Sequence, residues 1–174
     1  MKSVTIKASD VRSLYNVINS AKYNGLDDVD KIRMWKIARL LKPIASKLDE
    51  MSMDAAEKFK PENFDENLLD AQEFERAANG NGSSESSPRM TPSEYERFIG
   101  ELKNYDGLVR DAVKDYSDEM KELCFEPLSE SAFEKLLVSN DWSLSQAVEL
   151  SSFMVGETLS TRAMNMHGKE RRLI

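Results

Sequence analysis

One cysteine and one histidine occur in the 174 residues, and that scarcity removes most of the chemistry a chain this size can carry. A lone thiol, Cys124, cannot close an intrachain disulfide, so the expected compartment is a reducing one, the cytoplasm. Cys124 and His167 together lack two of the four ligands of a zinc site, and carboxylates or another chain would have to supply them. Cys124 also has no histidine near it in sequence to take its proton, so it reads as a half-buried structural thiol rather than a nucleophile. No glycine-rich phosphate loop, GxSxG elbow or CxxC pair is found. No apolar run approaches the roughly 20 residues that cross a bilayer, and Met1-Lys2-Ser3-Val4-Thr5-Ile6-Lys7 lacks the apolar centre of a signal peptide. Repeats of about 20–50 residues, the mark of a solenoid, are missing too. No catalytic residue, metal or cofactor is indicated, and a membrane is not an expected partner.

Positive charge is in short supply. The chain has 24 Lys and Arg against 31 Asp and Glu, a net −7, with the acids spread along its length. That argues against nonspecific nucleic-acid binding, in which basic side chains displace counterions from phosphates. A local exception is His167-Gly168-Lys169-Glu170-Arg171-Arg172, which reads as part of a disordered tail over 164–174. The charged fraction of 32% exceeds the usual ~25% of globular chains, as expected where a thin helical body has much surface to solvate.

What is present is helical periodicity. Val4 and Ile6 alternate with polar neighbours and predict a short extended start. Ser9 or Asp10 can cap a first helix that presents Val11, Leu14, Tyr15, Val17 and Ile18 and ends near Ser20. After the turn Tyr23-Asn24-Gly25, the acids Asp27, Asp28 and Asp30 suit the positive end of a second helix. Its seam, Met34, Ile37, Leu41, Ile44, Leu48, Met51 and Ala55, alternates spacings of three and four, as long helices packed at a shallow angle require. Pro43 should kink or break it. Phe64, Leu68, Ala71 and Phe74 predict a third helix to about Ala78. Residues 79–90 read as a flexible internal loop, because 79–88 hold no apolar side chain to offset the entropy of ordering them.

Thr91-Pro92-Ser93-Glu94 is a capping box with proline at the tolerant first position. The seam that follows runs Tyr95, Phe98, Leu102, Tyr105, Val109, Ala112, Tyr116 and Leu123, with a polar lapse at Glu119. Cys124 to Leu128 reads as an extended connector that tucks Phe125 and Leu128 into the core. Ser131 with Glu134 and Ser143 with Gln146 are two further capping boxes before short C-terminal helices, the last fading around Leu159 to Ala163.

Two constellations invite a functional reading. Asp111, Asp115, Asp118 and Glu122, spaced four, three and four, would lie on one face of a continuous helix. Magnesium sites of all-helical nucleotide hydrolases use such acids, with matching acids on a facing helix. The facing seam here is Met, Ile and Leu, so a solvated edge outweighs a metal site, and the hydrolase stands as the alternative. Asp27-Asp28-Val29-Asp30 lacks the glycine and the final glutamate of a calcium loop, and helix-start charge accounts for it. Trp35 and Trp142 are expected at the core or its edge. Either one, if exposed, becomes the leading anchor for a partner.

Two stretches carry a resemblance. Leu14-Tyr15-Asn16 followed by Trp35-Lys36-Ile37-Ala38-Arg39-Leu40-Leu41-Lys42 is similar to the start of small all-helical proteins encoded by phages and prophages. Glu126-Pro127-Leu128-Ser129, with Phe133 and then Leu144 to Leu150, resembles their C-terminal third. The resemblance implies a helical accessory protein with no assigned catalytic residue. The expected architecture is all-α: one domain over 1–174, a bundle around a long antiparallel helix pair with short C-terminal helices. In that pair Met51 lies near the start of the fourth helix and Met34 near its end. The expected function is a non-catalytic scaffold, assembly or adaptor protein that binds other proteins and self-associates.

Overall fold

In a computed structural model, residues 1–79 and 89–156 are described. They form β1 (Lys2–Lys7), α1 (Ala8–Ser20), α2 (Asp28–Phe59), α3 (Phe64–Ala78), α4 (Pro92–Asp118), β2 (Met120–Phe125), α5 (Glu130–Ser139) and α6 (Leu144–Met154). The described residues are thus mostly helical, with one small sheet. The centre of the expected loop, the fading end of the last helix and the basic tail at 167–172 lie outside the described residues. The expected loop ends early, since Met90 is buried against Ala71 and Phe98.

Where the sequence reading treats 1–174 as one domain, the backbone groups into two compact units. One comprises Met1–Ser46 with Glu119–Ile174, and the other Lys47–Asp118. The boundary falls within α2, a helix of 32 residues. Pro43 sits inside this helix without ending it.

The first unit is organised by a pairing that no local pattern announces. β1 and β2 are antiparallel, with Val4 opposite Leu123 and Lys2 opposite Phe125. Partners directly opposite point to the same face, so Val4 and Ile6 join Leu123 and Phe125 against the core. The backbone passes straight from β1 into α1. Neither Ser9 nor Asp10 caps that helix; Lys7 holds the cap position without a side-chain bond, and the Ala8 amide donates to the Glu119 carbonyl at 3.0 Å. Strand pairing has taken over the capping role. Val11, Leu14 and Ile18 then bury beside Met34, Ile37 and Leu41 of α2 and beside Phe133, Leu136, Phe153 and Met154. Asn140 ties the loop after α1 to the end of α5: its Oδ1 accepts from the Lys22 amide at 2.7 Å and its Nδ2 donates to the Lys22 carbonyl at 3.0 Å.

Three local readings need correction here. Leu123 belongs to β2 rather than to the seam of α4, and the polar lapse at Glu119 marks the helix end. α5 is capped by Ser129, whose Oγ accepts from the Ala132 amide at 3.1 Å, and not by Ser131. Cys124 is exposed, because Leu123 and Phe125 on either side take the core face. The connector nevertheless delivers Phe125 and Leu128 to the core as expected, and Leu128 bridges to Val155. The box at Ser143 and Gln146 forms in full.

The second unit contains the end of α2, then α3 and α4. Lys47 lies over the Tyr116 ring at 4.6 Å and Tyr105 donates to the Ala56 carbonyl at 3.1 Å, so these two stretches run antiparallel. Phe64 meets Phe98 and Tyr105 at 5.9 and 5.0 Å, and Phe74 stacks on Tyr95 at 4.8 Å. The first half of α4 therefore faces α3, and only its second half faces α2. That overturns the expected register, in which Met51 sat near the start of α4. Met34 is buried in the core of the first unit, in the same cluster as Leu123 of β2. The long helix pair fails as drawn because the first half of the α2 seam, Met34, Ile37 and Leu41, enters the core of the first unit.

α4 opens as the sequence indicates. Glu94 accepts from the Thr91 amide at 2.8 Å, and the Glu94 amide donates to Thr91 Oγ1 at 3.3 Å. The Thr91 amide, followed by its hydroxyl, holds the Glu94 carboxyl below its ordinary range.

Candidate protein-binding surface

α2 presents two opposite faces, and its exposed one carries the features of a binding surface. The buried seam at Met34, Ile37, Leu41 and Leu48 turns one side inward. Ile32, Trp35 and Arg39 follow at spacings of three and four on the other side. Trp35 is 58% exposed and Ile32 53%. The expectation that Trp35 belongs to the core or its edge is thus corrected. It follows Met34 by about 100° of helical turn, far enough to leave the seam. The Arg39 guanidinium lies over the indole, 5.3 Å from its centroid, in cation–π geometry. Lys31, Lys36 and Lys42 are exposed on the same stretch of helix.

This stretch is anchored at its start and by one set of ion pairs. Asp27 Oδ1 accepts the Asp30 amide at 2.9 Å, which caps the helix. Arg33 then bridges Asp30 at 2.9 Å and Glu126 at 2.7 Å, tying α2 to the residue after β2. The hydrogen bond to Glu126, then that to Asp30, raises the Arg33 pKa, and the same bond from Arg33 holds Glu126 below its ordinary range. The triplet of aspartates that superficially suggested calcium is therefore consumed in capping and ion pairing.

Trp142 behaves differently. It is half-buried and stacks on Phe133 with centroids 6.3 Å apart, so it seals the core edge as expected. Near it, α5 and α6 leave a groove of about 540 Å³ lined by Phe133, Leu137, Leu144, Val148 and Val155. Leu144 is 82% exposed at its rim. Lys2 closes one end, its ammonium donating to the Ser152 and Val155 carbonyls at 2.5 and 2.7 Å.

The carboxylate stripe does not assemble as drawn. Asp111, Asp115 and Asp118 lie on α4, but Glu122 is in β2, where its Oε1 accepts from Ser3 Oγ at 3.4 Å. The end of α4 at Asp118 breaks the helical spacing on which the alignment of all four depended. Among the described residues, no group of three or more His, Cys, Asp or Glu side chains is placed to hold a metal ion. Among them, too, no helix is long and apolar enough to cross a membrane. No protein-family model, curated protein or solved structure matches the chain.

Proposed function

We propose that this protein is a non-catalytic scaffold or adaptor that binds other proteins through the exposed face of α2, with Trp35 as the anchor. The observation that carries the reading is the exposure of Trp35 beside Ile32 on a helix whose opposite seam is buried or half-buried. Burying two such side chains supplies about 1.5–3 kcal/mol each, and tryptophan and arginine are the residue types that most often dominate interface energy. The surrounding lysines and Arg39 favour an acidic partner surface. The resemblance to helical phage and prophage proteins supports an accessory role of this kind in a virus or mobile element.

A photo-crosslinking residue placed at position 35 tests it in cells. The expected result is a protein adduct absent when the same residue replaces Glu101, an exposed position on α4. Equal labelling at both positions would overturn the reading. So would magnesium-dependent nucleotide hydrolysis that disappears in Asp115→Ala.

A further inference from the structure

The groove between α5 and α6 has the chemistry that the exposed face of α2 would seek. Leu144 and Val148, one turn apart on α6, are 82% and 57% exposed along it. Its charged lining is mostly acidic. Glu130 and Glu134, one turn apart on α5, are exposed, while the Lys2 ammonium is engaged by two carbonyls. Residues 130–154 carry four acidic side chains and one basic, whereas residues 28–46 carry five basic and two acidic. On α2 the stripe of Ile32, Trp35 and Arg39 has Lys36 to one side and Lys31 and Lys42 to the other. One surface is an apolar ridge in a basic frame, and the other an apolar furrow with an acidic edge.

We propose that the α5–α6 groove binds the exposed start of α2 from a second copy of this chain. The proposal rests on the reading of Trp35 as a partner anchor and names the surface that receives it. An amphipathic helix binds a hydrophobic groove through anchors at spacings of three, four and seven, which Ile32, Trp35 and Arg39 have. The indole packs against Leu144 and Val148, and the basic frame meets Glu130 and Glu134. Both surfaces lie in the first unit. The contact cannot form within one chain, because Met34, Ile37 and Leu41 of α2 already share a core with Phe133 and Leu136 of α5. A contact between unlike surfaces closes as a ring or continues as a chain of copies. Opposite charges fix its orientation. The apolar area is small, so the association is weak and salt-sensitive.

Mixing two defective variants of the full chain reads this contact and no other. Trp35→Ala spoils the stripe, and Glu134→Lys with Leu144→Lys spoils the groove, all at exposed positions. In sedimentation the native chain should associate at roughly tens to hundreds of micromolar, and less as salt rises. Each variant alone should stay monomeric. An equal mixture should form heterodimers, because one variant keeps a groove and the other keeps a stripe. Val138→Lys, at an exposed position of α5 outside the groove, should associate as the native chain does. Circular dichroism guards against misfolding. A photo-crosslinking residue at position 35 should attach to α5 or α6 of the second copy. A strict monomer, a mixture that stays monomeric, or capture of such a residue at position 148 by its own chain would overturn the proposal. If the native chain is monomeric but position 35 captures a different protein, the groove assignment falls and the reading of Trp35 stands. No adduct at position 35 would sink both.

Discussion

Residues 1–46 with 119–174 and residues 47–118 are built on different principles. Among the described residues of the first unit, sixteen buried apolar side chains from β2, four helices and their connections meet in one cluster, with Val4 and Ile6 of β1 packed against it. Among those of the second, the corresponding cluster has three, Ala71, Met90 and Phe98, and aromatic pairs join α3 to α4. Charge follows the same division. The second unit has eighteen acidic and nine basic residues, a net −9, which leaves +2 for the first. A segment with few buried side chains and many like charges gains little from burial and loses some of it to repulsion. The comparison teaches that stability is concentrated in the discontinuous unit, while the continuous helical insert is the looser of the two.

The largest test of that contrast is a cavity in each unit. Leu136→Ala, at a fully buried site, should cost about 2–5 kcal/mol. Leu102→Ala, half-buried on α4, should cost only about 1 kcal/mol. Chemical denaturation of both variants decides it, and equal losses would mean that the insert is as tightly packed as the rest. Hydrogen exchange sharpens the same point. Amides in the middle of α4 should exchange at least about tenfold faster than those of the β1–β2 ladder, because sparse contacts permit local opening. Slower exchange in α4 would reverse the ranking.

Capping gives a smaller effect with a pH signature. Thr91→Ala should cost α4 about 1 kcal/mol. Glu94 is held below its ordinary range when folded, so its contribution is complete above the unfolded value and is lost as the pH falls through the folded one. The Thr91 amide resonance should therefore shift in acid with a midpoint below that of an ordinary glutamate, and an ordinary midpoint would mean that the box is open. The smallest effect is expected at Trp35. Trp35→Ala should change the stability of the monomer by less than about 0.5 kcal/mol despite the size of the side chain. In a Trp142→Phe background, dilute protein should show solvent-exposed emission from Trp35. A blue-shifted spectrum would place the indole back in the core.

Helices with internal periodicity are legible in the residues alone, as is the chemistry at the starts of α4 and α6. The seam of α2 has each residue buried or half-buried, and the boxes at Thr91 and Ser143 form as their sequences imply. Such features depend on side chains within about four residues of one another, so local sequence carries them. The exposed face of α2 is half legible. A tryptophan beside a seam is ambiguous until the helix is placed, and the choice between core edge and solvent turns on about 100° of rotation.

By itself, then, the sequence determined that the chain is mostly helical, where the long helices lie and which face of α2 is apolar. Tertiary structure alone decided what each face meets. Nothing near Lys2–Lys7 announces a partner at Met120–Phe125, since a strand satisfies its amides only across the fold, more than a hundred residues away. The burial of Met34, Ile37 and Leu41 beside a strand pair and two C-terminal helices was equally hidden. A heptad pattern states that a face will be buried but not by what, because leucine and methionine pack against strand, helix or aromatic with nearly the same free energy per unit area.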